Sequence, residues 1–332
     1  MPPSRRQLLA LGACGSALGF SPWPVRAAPP SPPTVTDETW HDAARQRQLP
    51  VRVRWPAGTP PPGGWPVVLF SHGLGGTRDG GSVWGQAWVD AGLVVVHLQH
   101  PGSDLDAVRL AARSFADQPA LRQVASPQQL LARLRDVSFA LDEIGRRHAA
   151  GQDLWAQARP GAVGMSGHSF GAHTTLGMAG QQYPGFGGIS EPRLAAFVAF
   201  SPTLPVVGDA RQAFARITRP TLCVTGTRDD DVVGVGATPE RRIGVYAALP
   251  AGHKAQLVLA DADHMTFGGQ TGRAAEIVRR EEVTRRLQPR HHALVAAITT
   301  DWWRAQLLGD TAAQARLVRP AGLAAGDTWQ AG

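Results

Sequence analysis

The sequence predicts an α/β protein whose doubly wound, mostly parallel sheet has about eight strands and helices on both faces. Two observations predict this fold class. Unbroken apolar runs of strand length recur along the chain, and segments with helical periodicity separate them without any internal repeat. Unbroken apolar runs are typical of parallel strands, because helices cover both of their faces. The 332 residues, 43% of them hydrophobic, are enough to bury one large core.

The predicted sheet begins with an antiparallel pair of strands. In the segment "PVRVRW", Val51, Val53 and Trp55 alternate with other residues, as expected of a half-buried edge strand. The parallel strands are predicted at the continuous apolar runs 67–70, 93–98, 162–165, 194–200, 221–225 and 255–259.

Helical periodicity falls between these runs and after the last of them. The segment 82–90 carries two tryptophans at helical spacing. Ser126 and Pro127 suit the N-cap and the first position of a long helix, which has an apolar stripe as far as Ile144. A final helix is predicted over residues 293–308, which include two adjacent tryptophans.

The N-terminus has the pattern of an export signal. Arg5 and Arg6 precede an apolar run that ends at Phe20, and small or apolar residues stand where a signal peptidase reads. The run is too short to span a bilayer permanently. We expect residues 1–27 to be a twin-arginine signal and the mature protein to be periplasmic or secreted, with no integral membrane segment. A lipoprotein acylated at Cys14 is the alternative, and it would leave an unusually brief apolar region.

After the signal, we predict a linker and then one domain. Residues 28–35 are rich in proline, and residues 36–332 give no sign of a second domain. Residues 102–125, between the fourth strand and the long helix, form the one insertion large enough to act as a lid. Whether this insertion closes over a site, and the oligomeric state, stay open at this point.

Composition excludes several classes of function. The net charge is +7, but the basic residues are scattered and form no stripe, so we expect no nucleic-acid partner. No phosphate-binding glycine loop and no zinc-ligand spacing occurs, so we expect no cofactor and no metal. The sequence has no asparagine, so an oxyanion site has to use backbone N–H groups rather than an asparagine side chain.

One motif indicates nucleophilic chemistry. In "AVGMSGHSFGAHTTLGMAG", residues 162–180, an apolar strand leads into Gly-His-Ser-Phe-Gly and then into small, helix-compatible residues. A serine on such a turn sits in a strained conformation, and large residues in place of the flanking glycines would collide. The start of the helix also directs N–H groups at an incoming carbonyl. Ser169 is therefore the candidate nucleophile.

Two later strands supply the base and the acid that a nucleophilic serine needs. The segment "TLCVTGTRDDDVV" ends a strand with three carboxylates, and "AQLVLADADHMTFGG" ends another with His264. Both follow apolar runs at the edge where open α/β sheets place their ligands. We predict Asp229 as the acid and His264 as the base. Asp230 stays open as an alternative acid, and Asp231 is expected to be solvated.

The segment "VVLFSHGLGG", residues 67–76, completes the predicted site. Its glycine-rich turn can present the Leu74 N–H beside the N–H of Phe170, which gives an oxyanion two donors. His72 is expected to stabilise this turn by hydrogen bonding. Among the remaining candidates, His168 and His173 are expected to pack near the nucleophile, and Arg241–Arg242 to lie on a solvated helix face.

With these motifs the chain resembles the α/β-hydrolase superfamily, and within it the bacterial dienelactone-hydrolase-like esterases that are similar to platelet-activating-factor acetylhydrolases. The resemblance rests on "LPVRVRWP", "VVLFSHGLGG", "HPGSD", "GMSGHSFGAHTTL", "TGTRDDD" and "ADHMTFGG", which cover most of residues 48–308. It implies an α/β-hydrolase fold and a serine ester hydrolase that needs no cofactor. Ser169 would be the nucleophile and His264 the base, with Leu74 and Phe170 as oxyanion donors.

Two departures limit what the resemblance implies. Dienelactone hydrolases use a cysteine nucleophile, so lactone specificity does not carry over to Ser169. The acetylhydrolases place their acid after the strand that follows the nucleophile helix, where this chain reads "AFSPTLP" without a carboxylate. The acid is therefore expected one strand later.

We accordingly expect an exported serine hydrolase that cleaves carboxylic esters, small or lipid-like, through an acyl-enzyme. A phospholipase-like acetylhydrolase and a polyester depolymerase are alternatives within the same chemistry. A catalytically silent binding protein on the same fold is the alternative from another class.

Overall fold

The computed structural model describes residues 33–112, 117–272 and 278–332. The predicted export signal, the alternative at Cys14 and most of the predicted linker lie outside these residues. The first strand begins at Thr34, so the last two positions of the predicted linker belong to the sheet.

The described residues form one mixed sheet of nine strands in the order β1-β2-β4-β3-β5-β6-β7-β8-β9. The neighbours from β4 through β8 pair in parallel, whereas β1–β2, β2–β4 and β8–β9 are antiparallel. The strands are β1 Thr34–Asp42, β2 Arg47–Trp55, β3 Trp65–Ser71, β4 Val94–Leu98, β5 Ala158–His168, β6 Leu194–Phe200, β7 Thr221–Arg228, β8 Lys254–Asp263 and β9 Thr328–Ala331.

The sheet confirms the predicted doubly wound, mostly parallel architecture with an antiparallel start. Two details of the prediction are wrong. β2 is not an edge strand, because β1 pairs with it from Thr34 opposite Trp55 to Asp42 opposite Arg47. The ninth strand was not predicted, because its four residues TWQA contain no apolar run. Pairing with β8 brings this segment into the sheet.

Helices cover both faces of the sheet, as predicted. The continuous apolar strands serve two cores at once: in β4, Val94 and Val96 pack in one core and Val95 in the other. The helices among the described residues are α1 Ser82–Asp90, α2 Leu105–Ala111, α3 Gln118–Val124, α4 Pro127–Ala149, α5 Phe170–Ala179, α6 Ala210–Phe214, α7 Pro239–Ile243, α8 Val245–Ala248, α9 Glu282–Leu308 and α10 Thr311–Val318.

Two helices illustrate where sequence signals succeed and fail. α4 begins as predicted, with Pro127 in its first turn and the Ser126 hydroxyl accepting the Gln129 N–H. The last long helix, α9, begins at Glu282, well before the predicted start at residue 293. Its first turns contain Pro289 and many polar residues, so they lack the apolar stripe that marks the later turns. Within the described ranges, no helix has the length and apolar character needed to cross a membrane.

The insertion predicted as a lid contains α2 and α3. These two helices share a small core of Val108, Ala112, Leu121 and Val124, against which Leu74 and Val233 pack. The insertion therefore touches the two loops that flank the predicted site. Its closure as a lid stays a prediction.

Candidate active site

Ser169 stands at the turn between β5 and α5 in a strained backbone conformation. Its φ of 56° and ψ of −113° lie where residues with a side chain are seldom found. The strain is held by hydrogen bonds: the Ser169 N–H donates to Phe200 O at 2.9 Å, and the Ala172 N–H donates to Ser169 O at 2.8 Å. The side chain is half-buried at the carboxyl edge of the sheet.

The glycines on either side of Ser169 are required by close backbone contacts. A Cβ on Gly167 would lie 2.4 Å from Gly171 O, and a Cβ on Gly171 would lie 1.9 Å from Ser71 O at the end of β3. Neither distance is sterically possible, so a side chain at either position would force the turn away from the sheet. The collision predicted from the sequence is thus confirmed.

Asp229 and His264 meet at the ends of β7 and β8. His264 Nδ1 lies 2.7 Å from Asp229 Oδ1, and the Thr225 hydroxyl donates to Oδ2 of the same carboxylate at 2.7 Å. Asp229 is completely buried and His264 is 4% exposed. Asp230, the open alternative, is exposed and makes no such contact. Because Nδ1 faces the carboxylate, Nε2 of His264 is the nitrogen left for proton transfer.

Arg242, on α7, contradicts the prediction of a solvated side chain. It is 4% exposed, and its Nε lies 3.0 Å from Asp229 Oδ1. The guanidinium also donates to Asp229 O at 2.8 Å and to Ser201 O at 2.6 Å. Burial would raise the pKa of Asp229, but the Arg242 charge and the His264 hydrogen bond outweigh it and hold that pKa at about 2. The carboxylate is therefore ionised at neutral pH.

A short 3₁₀ turn, His264–Gly268, fixes the position of the histidine. The Asp263 carboxylate caps it by accepting the Thr266 N–H at 2.9 Å and is itself bound by Arg280 Nε at 2.6 Å. His168 Nε2 lies 3.0 Å from His264 O, and burial keeps the pKa of His168 well below its ordinary value. His168 is thus a neutral donor that supports the turn, in agreement with its predicted packing role.

Ser169 and His264 line the same two cavities. Among the described residues, no hydrogen bond joins the Ser169 hydroxyl to the His264 ring. Proton transfer between the two side chains would require such a hydrogen bond to form, and in many enzymes it forms only once substrate is bound.

The loop after β3 lies directly beside Ser169. A Cβ on Gly73 would be 3.5 Å from Ser169 Cβ, and Leu74 lines both cavities with Ser169. The loop is tied to the insertion, since the Gly75 N–H donates to Ser103 O at 3.0 Å. His72 Nδ1 lies 2.6 Å from Gly73 O, which confirms its predicted role in stabilising the turn. The roles of Leu74 and Phe170 as oxyanion donors stay a prediction.

The larger of the two cavities has a volume of about 370 Å³ and mostly apolar walls. It opens from Ser169 toward a rim on which Val206 and Val207 are about two-thirds exposed, at 70% and 68%. His173 reaches this cavity from α5, and burial lowers its pKa to about 4, so it is neutral there. Other walls come from Phe170, Tyr183, Phe186, Leu204, Val233 and Val235.

The sequence predictions miss two further features around the site. Asp231 is not a solvated carboxylate: it accepts the backbone N–H groups of Val233, Gly234, Gly236 and Ala237 and so shapes one wall of the cavity. Arg133 is buried behind the loop after β3 and was not singled out at all. The Asp231 contacts lie within its own loop, to residues two to six positions later, whereas the Arg133 contacts join segments that are far apart in the sequence.

A second Ser-His-Asp chain of hydrogen bonds lies inside the protein, behind the same loop. The Ser71 hydroxyl is 2.9 Å from His100 Nε2, and His100 Nδ1 is 3.0 Å from Asp136 Oδ2. All three residues are completely buried. Arg45, in the β1–β2 turn, and Arg47, the first residue of β2, bind the Asp136 carboxylate. No sequence motif indicated this chain.

Comparisons with known proteins agree with the fold, but the matching family model includes only part of the candidate site. The family model described as platelet-activating factor acetylhydrolase, isoform II, matches residues 43–136, a segment that ends before Ser169. The crystal structure of 2,6-dihydroxy-pseudo-oxynicotine hydrolase is similar with a TM-score of 0.52 and 18% identity over 83% of this chain and 69% of that chain. A search of curated proteins found no significant match.

Within the described residues, no group of three or more histidine, cysteine, aspartate or glutamate side chains is arranged to hold a metal ion. The candidate site consists of Ser169, the His264–Asp229 pair and the loop after β3, at the carboxyl edge of a nine-stranded, mostly parallel sheet. This architecture and the similar hydrolase structure show that the chain has an α/β-hydrolase fold, and residues 43–136 are similar to the acetylhydrolase family model.

Proposed function

We propose that this protein is a serine hydrolase that cleaves carboxylic esters through an acyl-enzyme. One observation carries the proposal: a strained serine and a histidine paired with a buried, ionised aspartate share one cavity, at the edge of the sheet where its glycine-rich loop lies. A base held in one tautomer by a carboxylate is what a serine needs to become a nucleophile.

In the proposed mechanism, His264 Nε2 takes the proton of the Ser169 hydroxyl as its oxygen attacks the ester carbonyl carbon. The negative charge on the carbonyl oxygen is bound by the N–H groups of Leu74 and Phe170. His264 then gives its proton to the leaving alcohol. Water, activated by the same nitrogen, attacks the acyl group, and the acid leaves as Ser169 regains its proton.

The test is hydrolysis of p-nitrophenyl esters by the purified protein and its Ser169→Ala variant. We expect the substitution to lower kcat by about 10⁴-fold or more, since the nucleophile and base act as a unit. A folded Ser169→Ala protein with the wild-type rate would contradict the proposal. A wild-type protein that cleaves no ester would favour the binding-protein alternative.

The second candidate within this chemistry is a phospholipase-like acetylhydrolase. The matched family model and the apolar walls of the 370 Å³ cavity favour it. A series of acetyl, butyryl and long-chain esters, together with an insoluble polyester, separates it from a general esterase and from a depolymerase. A strong preference for acetyl esters of lipid-like alcohols is its expected signature.

Export through the twin-arginine route is also part of the proposal. It rests on Arg5 and Arg6 ahead of an apolar run. Replacing both arginines by lysine is expected to retain the enzyme in the cytoplasm, as measured by cell fractionation. Equal periplasmic amounts of the two proteins would contradict it.

A further inference from the structure

Arg133, on α4, is a completely buried cation that lies behind the glycine-rich loop. Its guanidinium faces neutral oxygens: Nη1 donates to His72 O at 2.6 Å, Nε to the Ser103 hydroxyl at 2.8 Å, and Nη2 to Gly73 O at 3.4 Å. No carboxylate in the described ranges forms a salt bridge with it. Burial lowers the pKa of Arg133 to about 9, so the side chain still carries its charge at neutral pH.

Burying this charge is unfavourable in free energy because the guanidinium has lost its hydration, and the nearby Asp136 and Asp104 carboxylates offset only part of that loss. A hydrocarbon side chain would fill the space between α4 and the loop with a smaller loss of hydration free energy. The hydrogen bonds of Arg133 go to His72 and Gly73 in the glycine-rich loop and to Ser103 in the insertion. Arg133 therefore joins the loop to the insertion that supports it.

Because a peptide unit is planar, the contact between Arg133 and Gly73 O also fixes the direction of the next N–H group. Gly73 O and the Leu74 N–H belong to one peptide unit and point in opposite directions. Gly73 O is held by Arg133 Nη2 and by His72 Nδ1, which carries a proton because His72 Nε2 accepts the His100 N–H at 3.0 Å. With its oxygen held on the Arg133 side, the peptide directs the Leu74 N–H to the other side, where the loop borders the Ser169 cavity.

The same guanidinium contacts the second predicted donor residue. Arg133 Cζ lies 4.3 Å from the ring centroid of Phe170, whose side chain is 8% exposed. Cation–π packing of this kind fixes the aromatic ring against the cation. One arginine thus touches the loop that carries the Leu74 N–H and the residue that carries the Phe170 N–H.

We propose that Arg133 is a positioning residue of the oxyanion site: it holds the two N–H groups in the arrangement that binds the negative oxygen of the transition state. This inference rests on the proposed function. It assigns no contact with substrate to Arg133, because the loop separates the guanidinium from the cavity. Its charge lies behind the donors, where it also favours a negative oxygen in front of them.

The experiment compares Arg133→Met and Arg133→Lys with the wild-type protein on a short p-nitrophenyl ester. Lysine keeps the charge but cannot reproduce the guanidinium fork. We expect kcat to fall about 100-fold in Arg133→Met and less in Arg133→Lys, with little change in KM, because the oxyanion forms only in the transition state. The inhibition constant of a trifluoromethyl ketone, which forms a negative oxygen on Ser169, should rise in parallel with the loss of kcat.

Two further variants separate positioning from general stability. Val137→Ala removes a buried apolar side chain one turn further along α4, which makes no hydrogen bond to the loop, so it should lower the melting temperature without weakening binding of the ketone. Ser103→Ala removes one acceptor of Arg133 and is the milder test if Arg133→Met does not fold. It should lower kcat and ketone affinity together, by a smaller factor.

The outcomes are distinct. An active wild-type protein whose folded Arg133 variants keep their kcat and ketone affinity would overturn the positioning role and leave the proposed function intact. A loss of kcat with unchanged ketone affinity would also overturn it. A wild-type protein that neither hydrolyses esters nor binds the ketone would overturn both proposals.

Discussion

Two Ser-His-Asp sets lie close together in this protein, and each has a histidine hydrogen-bonded to a buried aspartate, but their serines differ in access and in hydrogen bonding. Ser71, His100 and Asp136 form an unbroken chain of hydrogen bonds but are completely buried. Ser169 and His264 share a cavity, and only the histidine and its aspartate are hydrogen-bonded. A complete chain of hydrogen bonds is therefore not by itself evidence of a catalytic centre, since the complete chain is the one that is buried.

Access and backbone strain distinguish the two sets. Ser169 has a positive φ of 56° at the start of a helix and is half-buried beside a glycine-rich loop. Ser71 is the last residue of β3, and no cavity reaches it among those that border Ser169. A nucleophile needs a cavity that a substrate can enter, with N–H donors for the oxyanion beside it. Of the two serines, only Ser169 lines such a cavity. The buried set ties the β1–β2 turn and α4 to the sheet.

The largest expected contrast comes from replacing the two aspartates. Asp229→Asn should lower kcat by about 10⁴-fold, because the histidine loses the partner that fixes its tautomer. Asp136→Asn should instead cost about 3–5 kcal/mol in the free energy of unfolding, because Arg45 and Arg47 lose their buried carboxylate. Steady-state kinetics and urea unfolding of both variants measure the two effects.

The contrast between the two sets would be wrong if Asp136→Asn, rather than Asp229→Asn, abolished activity. A folded Asp136→Asn protein with a kcat as low as that of Asp229→Asn would assign catalysis to the buried set. Asp104→Asn offers a control, because this carboxylate caps α2 and lies outside both sets.

Both aspartates should also make the free energy of unfolding depend on pH, which is a smaller effect. Each has a folded-state pKa of about 2, below the ordinary 3.8: burial raises the pKa of each, but Arg242 and His264 outweigh it at Asp229, and His100 and Arg47 do so at Asp136. A depressed pKa stabilises the fold above about pH 4, and this stabilisation is lost as the pH falls toward 2. Each carboxylate should contribute about 2 kcal/mol to the loss.

Urea unfolding at pH 5 and pH 2.5 measures this loss. Asp229→Asn and Asp136→Asn should each reduce the difference between the two pH values by a similar amount. A wild-type protein whose free energy of unfolding is equal at both pH values would contradict the ionised state assigned to these carboxylates.

The sequence could predict the features that local patterns encode. Unbroken apolar runs indicated the parallel strands, and the two glycines around Ser169 indicated a turn whose geometry excludes side chains. The position of His264 after an apolar run placed it at the edge of the sheet. Each of these signals lies within one short segment of chain.

The features that escaped prediction depend on contacts between distant segments. Arg242 looked like a residue on an exposed helix, but α7 packs its guanidinium against Asp229. The choice between Asp229 and Asp230 depends on which side chain the end of β7 directs inward. Arg133 is one of four arginines on α4, and its contacts with the glycine-rich loop are what distinguish it. The spacing of residues in the sequence does not indicate such contacts.

Covalent labelling tests the central claim most directly. The wild-type protein is treated with a fluorophosphonate, which reacts with activated serines, and the modified peptide is identified by mass spectrometry. The account predicts a single label on Ser169, its loss in Ser169→Ala and its retention in Ser71→Ala. A label on Ser71, or no label on the folded protein, would contradict the account.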